Sequence, residues 1–440
     1  MTAGFAKVPH AARLRIVNAT LPACLVQSGQ LLLATPDGLA RCDLVLAEGK
    51  IASIVAAGVE PADGTTPTLD LDQGMILPCF ADVHTHLDKG HIWPRRPNPD
   101  GTFMGALNAV LADRQASWTA EDVAARMEFS LRCAYAHGTS AIRTHIDSRP
   151  GQTAISWPVF AAMRETWAGR IALDASPLFG IELALDDAHM AEVSDMVDRH
   201  GHVMGAVTYM GPALRPGLER LFLLAREKGW DLDFHVDETL DPTAESLRVI
   251  AEMALSLWFP GRILVGHCCS LSMQAEDEAD RTMDLMARAG IAVVSLPMCN
   301  MYLQDRVPGR TPRRRGVTLL HEMKARGIEV MVASDNTRDP FYAYGDLDVL
   351  EVYREATRIL HFDHSAPDWI RTVTRTPASF LGGGVDLGVG APADLVLFRA
   401  RHWSELLSRP QSDRTVLRRG KPIDRSLPDY RELDPVLARS

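Results

Sequence analysis

An alternation constrains this chain more than any other feature. Between about residues 76 and 382, short apolar runs of strand type recur, and helical stretches separate them. MILPCFADVH is followed by SAIRTHID, RIALDASP, HVMGAVTY, DLDFHVDE, RILVGHCC, IAVVSLP and EVMVASDN. Intervening segments such as AEDVAARMEFSLRCAYAHG and GLERLFLLAREKG carry apolar residues at helical spacing and close on Gly. Nearly continuous apolar runs suit parallel strands buried on both faces. Seven or eight such units predict an α/β fold, a (β/α)8 TIM-like barrel. A doubly wound open sheet is the alternative. It fits less well, because no Gly-rich phosphate loop follows the first strand and polar residues close several different strands.

The flanks read differently. RLRIVNATLP, QLLLAT, CDLVLAEGKIASIVA and TLDLDQGMILP are β-type runs punctuated by Asp, Gly and Pro. The pattern returns after 385 in GVGAPADLVLFRA and RTVLRRGKPID. Both ends are expected to build one small composite β-sandwich, giving a division into 1–75, 76–382 and 383–440. No run approaches the roughly 20 apolar residues of a membrane span. The N-terminus lacks a signal-peptide pattern, so a cytoplasmic location without membrane partners is expected. A net charge of −10 argues against nucleic acid as a partner. Seven cysteines without a CxxC pair point to reduced thiols, with Cys268 and Cys269 as packing residues. Arg313, Arg314 and Arg315 read as a solvated loop or helix start.

The chemistry sits where apolar runs end. His84 and His86 are two residues apart, so in a strand they share a face and can grip one metal ion. His235 closes DLDFHV, and Glu238 follows three residues later. That offset suits a metal ligand and a proton shuttle facing one pocket, with Asp237 as the local competitor and a helix N-terminal acid as the plainer role for Glu238. His267 closes RILVGH and could be a buried hydrogen-bonding residue. Asp335 closes EVMVASD and could cap the next helix. In a parallel barrel all these strand ends open on one mouth, where they would converge.

HTHLDK at 84–89, RTHID at 143–147, HVDE at 235–238, GH at 266–267, NMYLQDR at 300–306, RRRGVTLLHEM at 313–323 and SDNTRDPFYAYG at 334–345 form an ordered set. With TPASFLGGGVDLGVGAPADLVL at 376–397, it resembles the amidohydrolase superfamily, in the branch of cytosine deaminase and N-isopropylammelide amidohydrolase. The resemblance implies one catalytic divalent metal ion, zinc or iron, held by His84, His86, His235 and Asp335. It implies that His267 hydrogen-bonds the attacking hydroxide, that Asp335 can take the water's proton, and that Glu238 carries a proton to the ring. No Lys closes a strand where a bimetallic relative would carry its bridge, which favours one metal. The implied reaction is hydrolysis of an exocyclic C–N bond of a small nitrogen heterocycle, with release of ammonia. Release of an alkylamine from a substituted triazine or other cyclic amidine, or a catalytically silent barrel, stands as the alternative. A homo-oligomer is also implied.

Two departures bear on the substrate. Leu178 falls where cytosine deaminase carries a glutamine that reads the pyrimidine edge, and a leucine makes no hydrogen bond there. Asn336 replaces the second acid of a carboxylate pair and bears no charge. Further pocket candidates are His145 with Asp147, Gln304, and the flat aromatics Phe341 and Trp93. The loop HIWPRRPNPDGTF, with Arg95 and Arg96, is expected as a lid over the mouth or as a solvated loop.

Overall fold

A computed structural model describes residues 4–27, 32–59, 64–383 and 387–438. Part of the expected run at 30–35 lies outside these residues, as does part of the 376–397 stretch. Eight parallel strands form the centre: β1 (Phe80–Thr85), β2 (Thr139–Asp147), β3 (Ala172–Leu178), β4 (Val203–Thr208), β5 (Asp231–Val236), β6 (Ile263–His267), β7 (Ile291–Ser295) and β8 (Val330–Val332). Hydrogen-bonded pairing runs β1-β2-β3 and β4-β5-β6-β7-β8. Two single bridges join these arcs: Gly180 to Val207, and Thr85 to Asp335. The second is a hydrogen bond from the Asp335 amide to the His84 carbonyl, 2.9 Å long. The sheet therefore closes, and the open-sheet alternative is excluded. The expected (β/α)8 barrel is the observed fold.

The helices start and stop as their sequences dictate. Thr119 caps the helix Ala120–His137 by accepting the Asp122 amide, and Gly138 ends it in a left-handed conformation. Gly229 ends Leu214–Lys228 in the same way. Inward-facing positions, two apart along each strand, carry polar layers. Arg143 lies beneath the mouth, within 2.8 Å of Asp174 and 3.1 Å of Asp233. His145, one inward position further along β2, reaches His84.

Beside the barrel, Arg13–Pro22 pairs with Leu39–Ala47, which forms a hairpin with Lys50–Ala56. Glu48 and Gly49 both take positive φ, as a two-residue hairpin turn requires. A second sheet pairs Ile76–Pro78 with Leu395–Leu397, which in turn pairs with Thr415–Arg418. The chain thus crosses from this layer into β1 across one residue, Cys79. Among the described residues no helix is long and apolar enough to cross a membrane.

Candidate active site

The strand ends gather their polar residues as the sequence predicts. His84 lies in β1, with His86 just beyond it; His235 is in β5 and His267 ends β6, while Asp335 follows β8. All five are buried. His86 Nε2 lies 3.1 Å from Asp335 Oδ1, and His84 Nε2 lies 3.6 Å from the same oxygen. His86 Nε2 and His235 Nε2 are 3.3 Å apart. Two nitrogens bound at about 2.0–2.1 Å to one tetrahedral ion would sit roughly 3.3–3.4 Å apart. Buried His84 Nε2 and both Asp335 oxygens have no hydrogen-bond partner. Such orphans are costly unless something binds them. The donor set therefore fits a divalent cation. His84 Nδ1 is 3.1 Å from His145 Nε2, an outer contact that fixes the first ring's orientation. Gly266 makes room for that ring: a Cβ there would lie 2.9 Å from His84 Cε1.

Burial pushes the His84, His86 and His235 imidazoles well below their usual pKa. They are therefore neutral, the form that binds metal. Burial first, and then Asp335, push the Glu238 carboxyl well above the ordinary range, with Lys89 opposing. Asp335 is raised to about 7, again mainly by burial.

Glu238 and Asp237 separate clearly. Both Asp237 oxygens accept backbone amides, from Ser246 at 3.1 Å and Leu247 at 3.0 Å, at the start of the helix Ser246–Ser256. Asp237 is thus the helix-terminal acid; both line the cavity, and Glu238 is the one whose carboxyl is not spent on helix amides. Glu238 Oε1 lies 3.4 Å from Asn300 Nδ2 and 3.5 Å from His267 Nδ1. The Asn300 amide also donates to His267 Nδ1 over 2.9 Å. With Nδ1 accepting, the neutral ring carries its proton on Nε2, which is buried without a partner. His267 is therefore placed as a donor. Its backbone, like those of Asp237 and Asp335, is left-handed, a conformation that His and Asp adopt more readily than most residues other than Gly.

These groups open on a cavity of about 720 Å³, within the usual range for small-molecule sites. Leu178, Asn336, Phe341 and Gln304 line it. Asn336 Nδ2 donates to Asp339 over 2.7 Å, and Gln304 Nε2 donates to the Glu238 carbonyl over 3.1 Å. His145 supports His84 from below and does not line the cavity. Trp93 does not line it either. Its loop is drawn aside because Arg95 is buried between Asp113 and Asp122, at 2.9 and 2.5 Å, and is not solvated. The wall comes instead from the helix Phe103–Ser117, through Phe103, Met104, Leu107, Val110 and Leu111. Sequence reasoning missed Asn300 and Lys89. The first stands in the NMYLQDR motif, and the second is a lone cation straight after HTHLD.

The profile of the amidohydrolase family matches residues 139–424. A pterin deaminase of Rhizobium rhizogenes is 56% identical over 440 residues, covering 99% of this chain and all of the relative. The crystal structure of 5-methylcytosine deaminase from Klebsiella pneumoniae, liganded with 5-fluorocytosine, is 26% identical and superposes with a TM-score of 0.79, over 93% of this chain and 97% of that one. N-isopropylammelide isopropylaminohydrolase from Burkholderia multivorans shares the fold, with a TM-score of 0.74 at 22% identity, over 94% and 98% of the two chains. The chain belongs to the amidohydrolase family. Its reaction is hydrolysis of C–N bonds other than peptide bonds.

Proposed function

We propose that this chain deaminates a pterin, replacing the exocyclic 2-amino group of a 2-amino-4-oxopteridine with oxygen from water and releasing ammonia. The observation that carries the choice of substrate is the end-to-end identity of 56% with a pterin deaminase. The cavity supports it, having room for a fused bicyclic ring against Phe341 and the Phe103–Ser117 wall. Leu178 speaks against cytosine itself, since it offers no hydrogen bond to a pyrimidine edge. In this reading residues 76–382 are the catalytic unit, and 1–75 with 383–440 form its companion β layer.

His84, His86, His235 and Asp335 would hold the ion, zinc or iron by donor chemistry. A divalent ion in that position lowers the pKa of water towards neutrality. Asp335 turns Oδ1 towards His84 and His86 and has no hydrogen-bond partner on Oδ2, and it takes the proton that the attacking water loses. His267 Nε2–H donates to the oxygen that adds to the ring. Glu238, kept protonated by burial, gives its proton to the ring nitrogen beside the reacting carbon. As a carboxylate it then accepts the proton of the new hydroxyl and passes it to the departing amine. Proton transfer of this kind contributes about 10²- to 10⁴-fold.

The test is ammonia release from pterin, cytosine, 5-methylcytosine and N-alkylated triazines by the purified protein, beside Glu238→Gln. Pterin is expected to be the best substrate, with turnover in the variant reduced by about 10²-fold or more and metal content unchanged. Preferred release of alkylamine from triazines would overturn the pterin reading. A protein that binds no metal and turns over nothing would return the barrel to a silent role.

A further inference from the structure

Lys89 is the unexplained group in the cavity. It is 5% exposed and lines the same space as Glu238, Asp335 and Phe341. An ammonium carries three donors, and burying one without acceptors is costly. Yet no carboxylate lies within 4.0 Å of Lys89, and no hydrogen bond is made by its side chain among the described residues. Its defined contact is with the face of Phe341, 4.9 Å from Nζ to the ring centroid. A cation–π contact of this kind leaves the N–H groups free for a further partner. The carboxyls that feel its charge, Glu238, Asp335 and Asp339, attract it into the cavity without satisfying it.

The other polar groups of the cavity say what that partner is. Asn336 and Gln304 each commit one amide N–H, to Asp339 and to the Glu238 carbonyl, and neither side chain carries a charge. His267 Nε2–H faces the reacting centre, and Leu178 has no donor. Next to the centre, then, Lys89 is the cation, and its charge reaches both Glu238 and Asp335. A ring whose amine carbon sits at the centre, with its adjacent nitrogen on Glu238, still carries whatever substituent follows that nitrogen. If that substituent is a carbonyl and the nitrogen between is unprotonated, as in the 1H tautomer of a pterin, a buried ammonium is the oxygen's best partner, because negative charge moves through that nitrogen onto the oxygen as hydroxide adds.

Resting on the pterin reading, we propose that Lys89 donates a hydrogen bond to the ring carbonyl oxygen, and that this selects substrates in which one ring nitrogen joins the amino-bearing carbon to a carbonyl carbon. 2-Amino-4-oxo heterocycles such as pterin meet this condition, and Lys89 supplies a ring contact that Leu178 cannot make.

The experiment pairs a deletion in the protein with a deletion in the substrate. Wild type, Lys89→Met and Lys89→Gln are assayed on pterin and on 2-aminopteridine, which lacks the oxygen, after metal content and melting temperature have been matched. Lys89→Met is expected to lose about 10- to 100-fold in kcat/KM on pterin, the worth of a charge-assisted hydrogen bond, and to be little changed on 2-aminopteridine. Lys89→Gln keeps a donor and is expected to recover part of the loss. Binding of the product 2,4-dioxopteridine, which retains the oxygen, should weaken in Lys89→Met as well. Equal losses on both substrates would overturn the inference and leave Lys89 as a counter-charge for its acidic neighbours. A wild type inactive on both substrates would instead overturn the pterin reading on which it rests.

Discussion

At the scale of single residues, the site depends on which nitrogen of each imidazole is free. His84 turns Nε2 to the centre because Nδ1 faces His145, and His267 presents Nε2–H because Nδ1 accepts from Asn300. Asn300→Leu removes that donor and frees the ring to change tautomer. It is expected to lower kcat by about 10- to 100-fold, in line with other outer-contact losses, with metal content and KM nearly unchanged; steady-state kinetics beside metal analysis would check this. The histidines and Asp335 were legible in the sequence because each closes an apolar run, so strand geometry alone placed them at one mouth. Asn300 was not legible. It sits in a short helix, Pro297–Leu303, after β7, and its importance comes from a neighbour 33 positions away. Trp93 misled for a related reason: aromaticity can be read, but the inward pull of Asp113 and Asp122 on Arg95 cannot.

At the scale of elements, the β layer and the barrel are joined by ion pairs that no local pattern announces. Asp348 caps the helix Val349–Leu360 by accepting the Leu350 amide at 3.0 Å. It also holds buried Arg414 through two bonds of 2.8 and 2.6 Å. Arg414, with His137 also nearby, outweighs burial and holds the Asp348 carboxyl well below its ordinary pKa. A depressed folded-state pKa stabilises above the unfolded value of about 3.9, and that stabilisation is lost as the pH falls further through the folded value. Acid unfolding of the wild type is therefore expected to steepen below about pH 4. Asp348→Asn should lose about 3 kcal/mol or more at pH 7, because it strands the Arg414 charge, and should flatten the acid limb; urea unfolding at several pH values would show it. The helices themselves were readable, since Thr119, Gly138 and Gly229 mark their ends. The pairing of buried Arg414 with Asp348, 66 positions away in the sequence, was not.

At the scale of the whole molecule, the barrel followed from one periodicity. Eight apolar runs with helices between them leave few arrangements that bury both faces of every strand. Closure depends on single bridges at two seams, and the Thr85–Asp335 seam joins the strands that carry His84 and Asp335. An ion held across that seam would tie the first strand to the last. Removing it by chelation is expected to lower the melting temperature as well as to abolish turnover, and one equivalent of zinc or iron should restore both. Ligand linkage makes the loss about 4 kcal/mol when metal stands at a thousandfold over its dissociation constant. Cavity size and wall chemistry were not legible, because the Phe103–Ser117 helix reaches the mouth only through the packing of its own loop.

The most direct measurement is metal stoichiometry and pterin turnover on the same samples of wild type, His86→Ala and Asp335→Ala. One ion per wild-type chain with ammonia release from pterin, and loss of both in the two variants, is the expected result. A wild type that deaminates pterin with no bound metal, or variants that keep full metal and full turnover, would contradict a centre built on His84, His86, His235 and Asp335.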